Sequence, residues 1–389
     1  MTSPPITLAT DQAQHQSLAT GTAGIAILHV ERALTGRSSW GDVHRRIQQT
    51  ASGPVDAGDH ASLYFGAPAL AFLLGIAGAD GRQRYAEPLA VLDGHVTRLA
   101  HRRVAAAMQR IDAGDDACFS EYDLFHGLVG IGALLLVRRP CSDVLAEVLG
   151  YLVRLTRTRR CAGAELPGWW VSQDPDPTLP TPGGHANFGM AHGAAGILAF
   201  LALAARRGHV VDQHYEAIHQ LANWFDHWRQ DTSDGPWWPQ WITRAELRAG
   251  HPAQQVPGRP SWCYGSTGIT RALQLAAIAT GDTARQRTAE QALLASLADR
   301  NLARITEPGI CHGVAGLYQT VYRAAHDSSA PALLQRLPAL ATALTCDATP
   351  QDRLDHGLLT GRAGVELVLD TARSGAPPHT GWDRCLLIT

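Results

Sequence analysis

An apolar segment preceded by two closely spaced glycines recurs along the whole chain. The two glycines lie three residues apart, and the sequence after them stays apolar for about three helical turns. A degenerate seventh copy has Gly66 in the first position and Ala69 in the second. The six clear copies begin at Gly21, Gly127, Gly193, Gly265, Gly313 and Gly361. We therefore predict a repeat protein with one apolar helix in each copy.

Amphipathic segments that carry most of the charged residues lie between the apolar ones. Their spacing predicts helices with one buried face, and these are Pro88–Gln109, Ser142–Arg157, Gln213–Arg229 and Thr283–Ala298. Several of the apolar helices are followed by a glycine at the position just past the expected C-terminus, as at Gly36, Gly208, Gly281 and Gly375. The pattern is one apolar helix followed by one amphipathic helix.

Sustained alternation of β-branched and polar residues is nearly absent, so we predict an all-α fold. Seven helix pairs with apolar inner members are best accommodated as an α/α toroid of seven inner and seven outer helices, closed so that no repeat exposes its apolar face. Residues 1–17 are predicted to be a flexible N-terminal leader, and residues 18–389 a single domain. In such a toroid the N-termini of the inner helices all point to one end, where a shared cleft is expected.

Composition supports a globular chain and disfavours several classes of partner. The chain has 389 residues, of which 45% are apolar and 17% charged, with a formal charge of −2 and no run of Lys or Arg. A nucleic acid or an anionic membrane surface is therefore not an expected partner. The longest apolar stretches, Ala69–Ala79 and Ile197–Ala205, are well short of the roughly 18 residues of a membrane span. The N-terminus lacks the pattern of a secretory signal, so we expect a cytoplasmic protein.

Three residues next to the repeat glycines have the character of metal ligands. Cys263 and Cys311 each lie two residues before a repeat glycine, and His312 follows Cys311 directly. Equivalent repeat positions thus bring two thiols and an imidazole to one end of the barrel, which is a donor set for Zn²⁺ with a fourth position left open. The seven cysteines are odd in number and scattered, which disfavours disulfides in a reducing cytosol. The remaining five are predicted to be packing or incidental thiols: Cys118, Cys141, Cys161, Cys346 and Cys385.

Histidines occupy the equivalent position in two earlier repeats. His192 directly precedes Gly193, and an imidazole in the shared cleft can carry protons near neutral pH. In the third repeat His126 directly precedes its glycine, while Asp123 lies four residues before it. Position alone favours His126 over Asp123 as a catalytic candidate.

Three motifs resemble a known family. Trp262-Cys263-Tyr264-Gly265, Cys311-His312-Gly313 and Met190-Ala191-His192-Gly193 look like the signature motifs of lanthionine synthetase C-like proteins. Their order and intervals also agree, and the likeness extends from about Gly21 to Gly364. The seven-repeat α/α toroid is the fold that this resemblance implies.

The resemblance also implies an active site. It implies one Zn²⁺ per chain, with a substrate thiol as the incoming fourth ligand, held by Cys263, Cys311 and His312. It implies catalytic roles for four further residues, Asp123, His192, Arg259 and Tyr264. This overrides the positional preference for His126, which becomes a supporting or structural residue. How Asp123 and His192 divide the acid and base roles stays open, and a surface position beside Pro260 is the alternative for Arg259.

The expected activity is that of a lanthipeptide cyclase. Cysteine thiols of a dehydrated precursor peptide would add to dehydroalanine or dehydrobutyrine and form thioether rings. Because no kinase-like or dehydratase segment precedes Gly21, a separate dehydratase is the expected partner, with a transporter as a further member of the biosynthetic complex.

Alternative functions remain open at this point. Prenyltransferases also activate a peptide thiol with zinc, and some glycosidases line an α/α barrel with carboxylates, but the repeat junctions here offer thiols and imidazoles. A zinc-containing module that binds a peptide or glutathione without cyclase activity is the main alternative. The Trp-rich connections Leu166–Gly184 and Gly235–Pro260 either wall a peptide cleft or pack over the toroid, and the two possibilities are held as equal.

Overall fold

The computed structural model describes residues 14–161, 163–175, 178–233, 235–328, 330–346 and 356–389. Helices are numbered here in chain order. The helix of each repeat begins directly after the first repeat glycine, and these seven inner helices are α1 (Thr22–Leu34), α3 (Ala67–Ile76), α6 (Leu128–Arg138), α8 (Ala194–Arg206), α11 (Ser266–Thr280), α14 (Val314–Asp327) and α16 (Arg362–Ser374). Each inner helix packs against the next, and the seventh packs against the first. The inner helices therefore form a closed ring.

Outer helices follow six of the inner ones and pack on them. They are α2 (Trp40–Thr50), α4 (Ala86–Ala113), α7 (Asp143–Leu155), α9 (His214–Trp228), α12 (Thr283–Ser296) and α15 (Leu337–Cys346). The short helices are α5 (Phe119–Tyr122), α10 (Arg244–Ala249) and α13 (Asp299–Leu302), with 3₁₀ turns at Leu334–Arg336 and Trp382–Leu386. The predicted α/α toroid is confirmed, and the described residues supply six of its seven predicted outer helices.

Burial explains why the inner helices are apolar on every side. In α8 every residue from Ala194 to Ala204 is buried, because the helix contacts its two ring neighbours, its outer helix and the interior of the ring. Outer helices such as α2 bury one face only. Among the described residues, every helix is too short or too polar to cross a bilayer.

The second glycine of each clear repeat is required by a close approach of the backbone. A Cβ atom at this position would lie 1.8–2.5 Å from the carbonyl oxygen of the residue six positions earlier. No real Cβ contact is that short, so only glycine lets the preceding loop fold back onto the first turn of the helix. The glycines concerned are Gly24, Gly130, Gly196, Gly268, Gly316 and Gly364.

The C-terminal segment fills the ring interior, which the sequence did not predict. Trp382, Leu386 and Ile388 are buried, and the main-chain carbonyls of this segment accept hydrogen bonds from side chains of the second and fifth repeats. The fully buried Arg271 donates to the Ile388 carbonyl and pairs with Asp327 at 2.7 Å. Burial lowers the pKa of Arg271 to about 10, so the guanidinium stays charged at neutral pH. This network fixes the chain end inside the toroid.

Three short two-stranded ribbons lie between the helices in the described part of the chain, and the fold remains mostly helical as predicted. Their strands are β1 (Thr158–Cys161) with β2 (Ala164–Pro167), β3 (His185–Asn187) with β6 (Trp241–Thr243), and β4 (Gln230–Thr232) with β5 (Gly235–Trp237). All three pairs are antiparallel, and β3–β6 joins the two Trp-rich connections. Each strand has only three or four residues, so period-two alternation had no length over which to appear.

The tryptophans of these connections pack against the toroid. Trp169, Trp170, Trp237 and Trp238 are each at most 5% exposed. Trp169 meets Trp224 of α9 edge to face at 5.5 Å, and the indole of Trp238 donates to the Phe225 carbonyl. Trp241 alone of the five is partly exposed. Of the two possibilities left open by the sequence, packing therefore accounts for four of the five indoles.

Part of the predicted leader also packs on the toroid. Residues 1–13 lie outside the described residues. Gln16 is buried and exchanges hydrogen bonds with the Pro54 carbonyl and the Asp56 amide, and Ser17 pairs with Phe65. Residues 16 and 17 thus belong structurally to the body of the fold and not to a flexible leader.

We predict that Gly24→Ala destabilises the fold, since its new methyl group would lie 2.1 Å from the Leu18 carbonyl oxygen. Overpacking of this kind costs about 1–3 kcal/mol. Gly150→Ala in α7 is the matched control, because no atom lies within 4 Å of its Cβ and alanine favours helix by roughly 0.5–1 kcal/mol. Urea unfolding of both variants measures this, and equal stabilities would contradict the close-approach explanation.

Candidate functional site

Backbone hydrogen bonds link the loops that precede the inner helices at six of the seven junctions between neighbouring repeats. The Cys263 amide donates to the Cys311 carbonyl at 3.2 Å, and the Cys311 amide donates to Leu359 at 2.9 Å. The other bonds also run from an amide to a carbonyl, and they are Leu359 to Ala19, Leu18 to Tyr64, Leu124 to Ala191, and Ala191 to Cys263. Every acceptor lies two residues before the first position of its repeat motif. The side chains at this position and the next are thereby held in register around one end of the toroid.

This register brings the three predicted ligands together. The sulfurs of Cys263 and Cys311 and a ring nitrogen of His312 all lie within 4.8 Å of one another. Cys263 is 5% exposed, whereas Cys311 and His312 are half-buried. Two of the three side chains are thus partly accessible to solvent.

Mutual hydrogen bonding makes Cys263 acidic. The hydrogen bond from Cys311 lowers the pKa of the Cys263 thiol well below its usual value, and the His312 ring lowers it further. Cys311 and His312 each form a hydrogen bond with Cys263, and this bond raises the pKa of Cys311 and the pKa of His312. The contacts within the cluster therefore favour deprotonation of Cys263 over that of Cys311.

The donor set fits a zinc ion. Thiolates and imidazole are the soft and borderline ligands that Zn²⁺ prefers, and a structural zinc site normally has four protein ligands. Among the described residues, no fourth histidine, cysteine or carboxylate has a ligand atom within 4.8 Å of all three, although the Glu307 carboxylate lies 2.5 Å from Nε2 of His312. The arrangement is that of a metal site with one position left for another ligand.

A second group of titratable side chains lies in the third and fourth repeats. The Nδ1 atom of His192 lies 2.5 Å from Oδ2 of Asp123, whose side chain is completely buried. The amides of His126 and Gly127 both donate to the other carboxylate oxygen, at 2.5 and 2.9 Å. Burial alone would raise the pKa of Asp123, but the hydrogen bonds from His126 and His192 outweigh it and the pKa lies below its usual value. Asp123 is therefore an ionised carboxylate that fixes the His192 ring.

His126 lies beside this pair but faces the solvent. Its ring stacks on His192 with centroids 6.1 Å apart, and its Nδ1 is 3.4 Å from Asp123. The side chain is 59% exposed, and the Asp123 hydrogen bond raises the pKa of His126. The donor atoms of Asp123, His126 and His192 also lie within 4.8 Å of one another, but the Asp123 oxygens already accept hydrogen bonds from protein groups. We interpret this group as a hydrogen-bonded acid–base pair and not as a second metal site.

Tyr264 connects the two groups. It follows Cys263 directly, and its ring lies 5.9 Å from that of His192. Burial and the nearby Cys263 raise the pKa of Tyr264, so its hydroxyl stays protonated and can donate a hydrogen bond. The Ala191 amide, next to His192, also donates to the Cys263 carbonyl at 3.2 Å. The thiol cluster and the His192 pair are therefore immediate neighbours.

Arg259 is half-exposed and forms an ion pair with a glutamate near the thiol cluster. Its guanidinium lies 3.2 Å from the carboxylate of Glu307, which in turn contacts His312. The sequence analysis missed Glu307, because an exposed glutamate in a loop is most often solvated. The signal that was available is its spacing, since Glu307 and Arg259 each lie six residues before a repeat glycine.

The other described cysteines form no disulfide and belong to neither group. Cys385 is buried in the C-terminal segment, where burial raises the pKa of its thiol to about 12. Cys161 lies 3.7 Å from the Arg244 guanidinium at the β1–β2 ribbon, and Cys118 contacts Ser120. Cys141 is exposed. The side chain of Cys346 lies outside the described residues.

Comparisons with known proteins agree with the geometry. A model of the family described as lanthionine synthetase C-like protein matches residues 12–387. The nisin biosynthesis protein NisC of Lactococcus lactis subsp. lactis is 26% identical over 208 residues, which is 51% of this chain and 48% of that protein. The chain thus spans about half the length of this relative. A solved structure described as nisin cyclase superposes with a TM-score of 0.81 at 20% identity, covering 96% of this chain and 92% of that one.

We predict that Asp123→Asn lowers the pKa of His126 towards its ordinary value of 6.5, because the anion that raises it is removed. Since folding raises this pKa, protonated His126 favours the folded state below the unfolded pKa, and this contribution is lost as the pH rises through the folded pKa. NMR titration of the imidazole measures the shift. Asp56→Asn, which removes the partner of His60 at 2.8 Å, is the control and should leave His126 unchanged.

Proposed function

This chain belongs to the lanthionine synthetase C-like family, and we propose that it is a zinc-dependent lanthipeptide cyclase. The reaction is intramolecular addition of cysteine thiols to dehydroalanine or dehydrobutyrine in a dehydrated precursor peptide, which yields lanthionine or methyllanthionine rings. The convergence of Cys263, Cys311 and His312 beside the Asp123–His192 pair is the observation that carries the proposal.

Cys263, Cys311 and His312 would hold the metal. When bound, Zn²⁺ supplies a Lewis acid that lowers the pKa of a substrate thiol coordinated at the remaining position. Two protein thiolates and a neutral imidazole balance the charge of the ion, so a substrate thiolate there keeps its nucleophilic character. The acidified Cys263 supports this assignment, since thiolates and not thiols are the metal ligands.

His192 is assigned the proton transfers. Asp123 is buried, and its oxygens are occupied by His192, His126 and Gly127, so it has no direct access to a substrate. His192 is partly exposed and uses Nδ1 for Asp123, which leaves Nε2 to exchange protons with the peptide. We infer that His192 donates the proton to the α-carbon of the adduct and that Asp123 orients the ring. This division of roles is the one that the sequence left open.

Arg259 and Tyr264 are assigned to charge stabilisation. As the sulfur–carbon bond forms, the double-bond electrons move onto the adjacent amide and produce an enolate, whose oxygen needs a cation or hydrogen-bond donor. Arg259 is half-exposed at the edge of the thiol cluster and always charged. The protonated Tyr264 offers an O–H donor between the cluster and His192.

The proposal extends to partners and location. A cyclase of this kind needs a peptide whose serines and threonines have already been dehydrated, so a separate dehydratase acts before it, and a transporter completes the assembly. Unpaired cysteines among the described residues fit a reducing compartment, and we keep the cytoplasm as the expected location.

We predict that the purified protein holds one Zn²⁺ per chain, and that Cys311→Ala loses it. Removal of a direct ligand should weaken affinity by more than the roughly 10–100-fold that loss of a supporting residue costs. Metal content by plasma mass spectrometry, with chelator competition, measures this. Cys141→Ala, at an exposed cysteine outside the cluster, should retain the ion. A Cys311→Ala protein with full zinc would contradict the assignment of ligands.

We predict that the protein consumes free thiols of a dehydrated cysteine-containing peptide without changing the peptide mass. His192→Asn should slow this by about 10²–10⁴-fold, the usual contribution of a general acid–base group, while zinc content stays the same. His101→Asn on the outer helix α4 is the control and should cyclise at the parent rate. If the zinc-loaded parent binds the peptide but consumes no thiol, the binding-module alternative replaces the cyclase.

A further inference from the structure

Glu307 links the metal-type histidine to the arginine of the proposed site. Its Oε2 atom lies 2.5 Å from Nε2 of His312, and its Oε1 atom lies 3.2 Å from the Arg259 guanidinium. One carboxylate thus holds two groups that come from different repeats. Nothing in the family motifs quoted above includes this residue.

The Glu307 contact favours one tautomer of His312. A carboxylate beside Nε2 favours the tautomer that carries its proton on that nitrogen, and the lone pair of this tautomer is on Nδ1. Glu307 is not a member of the thiol cluster, whose donor atoms lie within 4.8 Å of one another. The tautomer that Glu307 favours would therefore offer Nδ1 to a metal.

The backbone of Glu307 is held in place, although its side chain is exposed. Its carbonyl accepts a hydrogen bond from the Val314 amide at 2.9 Å, at the start of α14. A Cβ on Gly313 would lie 2.3 Å from the same oxygen, so the loop approaches the helix too closely for any other residue. The carboxylate therefore reaches His312 from a rigid base, although the side chain is 47% exposed.

Repeat symmetry explains why Glu307 and Arg259 meet. The carbonyl of each residue lies close to the first glycine of its own repeat. A Cβ on Gly265 would lie 2.2 Å from the Arg259 carbonyl oxygen, as a Cβ on Gly313 would lie 2.3 Å from that of Glu307. They are thus equivalent positions in adjacent loops, which the Cys263–Cys311 backbone bond holds in register. An arginine in one repeat and a glutamate in the next form a pair across the loop junction.

We propose that Glu307 is a positioning residue, which holds the His312 ring in its metal-binding orientation and keeps the Arg259 guanidinium beside the thiol cluster. The proposal rests on the proposed function only in that Cys263, Cys311 and His312 bind zinc. The exposed Arg259–Glu307 ion pair contributes little by itself, so the measurable effect passes through His312. Carboxylates that orient metal-binding histidines typically change affinity 10–100-fold.

Zinc affinity of the full-length protein, measured by chelator competition at one pH, tests this without reference to turnover. Glu307→Ala should weaken zinc binding by about 10–100-fold. Glu307→Gln keeps a hydrogen-bond acceptor of the same shape for Nε2–H, so it should restore part of the lost affinity. The absorption bands of the Co²⁺-substituted protein should shift in the alanine variant more than in the glutamine variant.

Glu147→Gln is the matched control, because it removes a carboxylate from another histidine, His101, at 2.7 Å and with similar exposure, on the outer helices. It should bind zinc as the parent does. A folded Glu307→Ala protein with parental zinc affinity and an unchanged Co²⁺ spectrum overturns the proposal, as does a parent that binds no zinc. If the parent binds zinc but does not cyclise peptide, the cyclase proposal fails while weakened binding in Glu307→Ala still supports the positioning role.

Discussion

The series of backbone hydrogen bonds between neighbouring loops is the constraint on which the site depends. Each bond ends on the carbonyl two residues before a repeat motif, as at Cys263, Cys311 and Leu359. Where no such bond is found, between the second and third repeats, Tyr64 and Phe125 occupy the same position and stack at 4.5 Å. Because neighbouring loops are held in one register, residues that lie roughly 50 positions apart in sequence become side-chain neighbours. The donor set comes from two repeats, so its assembly depends on this register of the loops.

The glycine pair and the C-terminal segment maintain this register from opposite sides. The second glycines let each loop fold back until its carbonyl nearly touches the first helical turn, which sets the height of the loop above the helix. Inside the ring, Arg271 and Trp262 donate to carbonyls of the last residues, so the end of the chain braces the same inner helices. Arg271 is fully buried, and an unpaired charge there would be very costly, which makes Asp327 and Ile388 necessary partners.

Much of this structure was predictable from the sequence because its determinants are local and repeated. The glycine motif gave the starts of the inner helices, and α12 begins at Thr283 as predicted. Cys263, Cys311 and His312 were predictable because equivalent repeat positions share a location. Asp123 was not, since its importance comes from a buried carboxylate that accepts two backbone amides, and only the family resemblance favoured it over His126. The β3–β6 pairing and the C-terminal segment depend on contacts between distant residues, for which the sequence carries no periodic signal.

The register also explains why the two thiols and the Asp123–His192 pair are separate in sequence but adjacent in space. Two residues before the motif, the fifth and sixth repeats have cysteines, and one residue before it the fourth to sixth have His192, Tyr264 and His312. The two sulfurs therefore lie at one position of neighbouring loops, and the three rings lie at the next position. A shift of one loop by a single residue would place a ring at the sulfur position of that repeat and the glycine at the ring position. The chemistry of the site is thus more sensitive to loop length than the fold is, because the fold needs only the glycines whereas the site needs the spacing between the glycines and the residues before them.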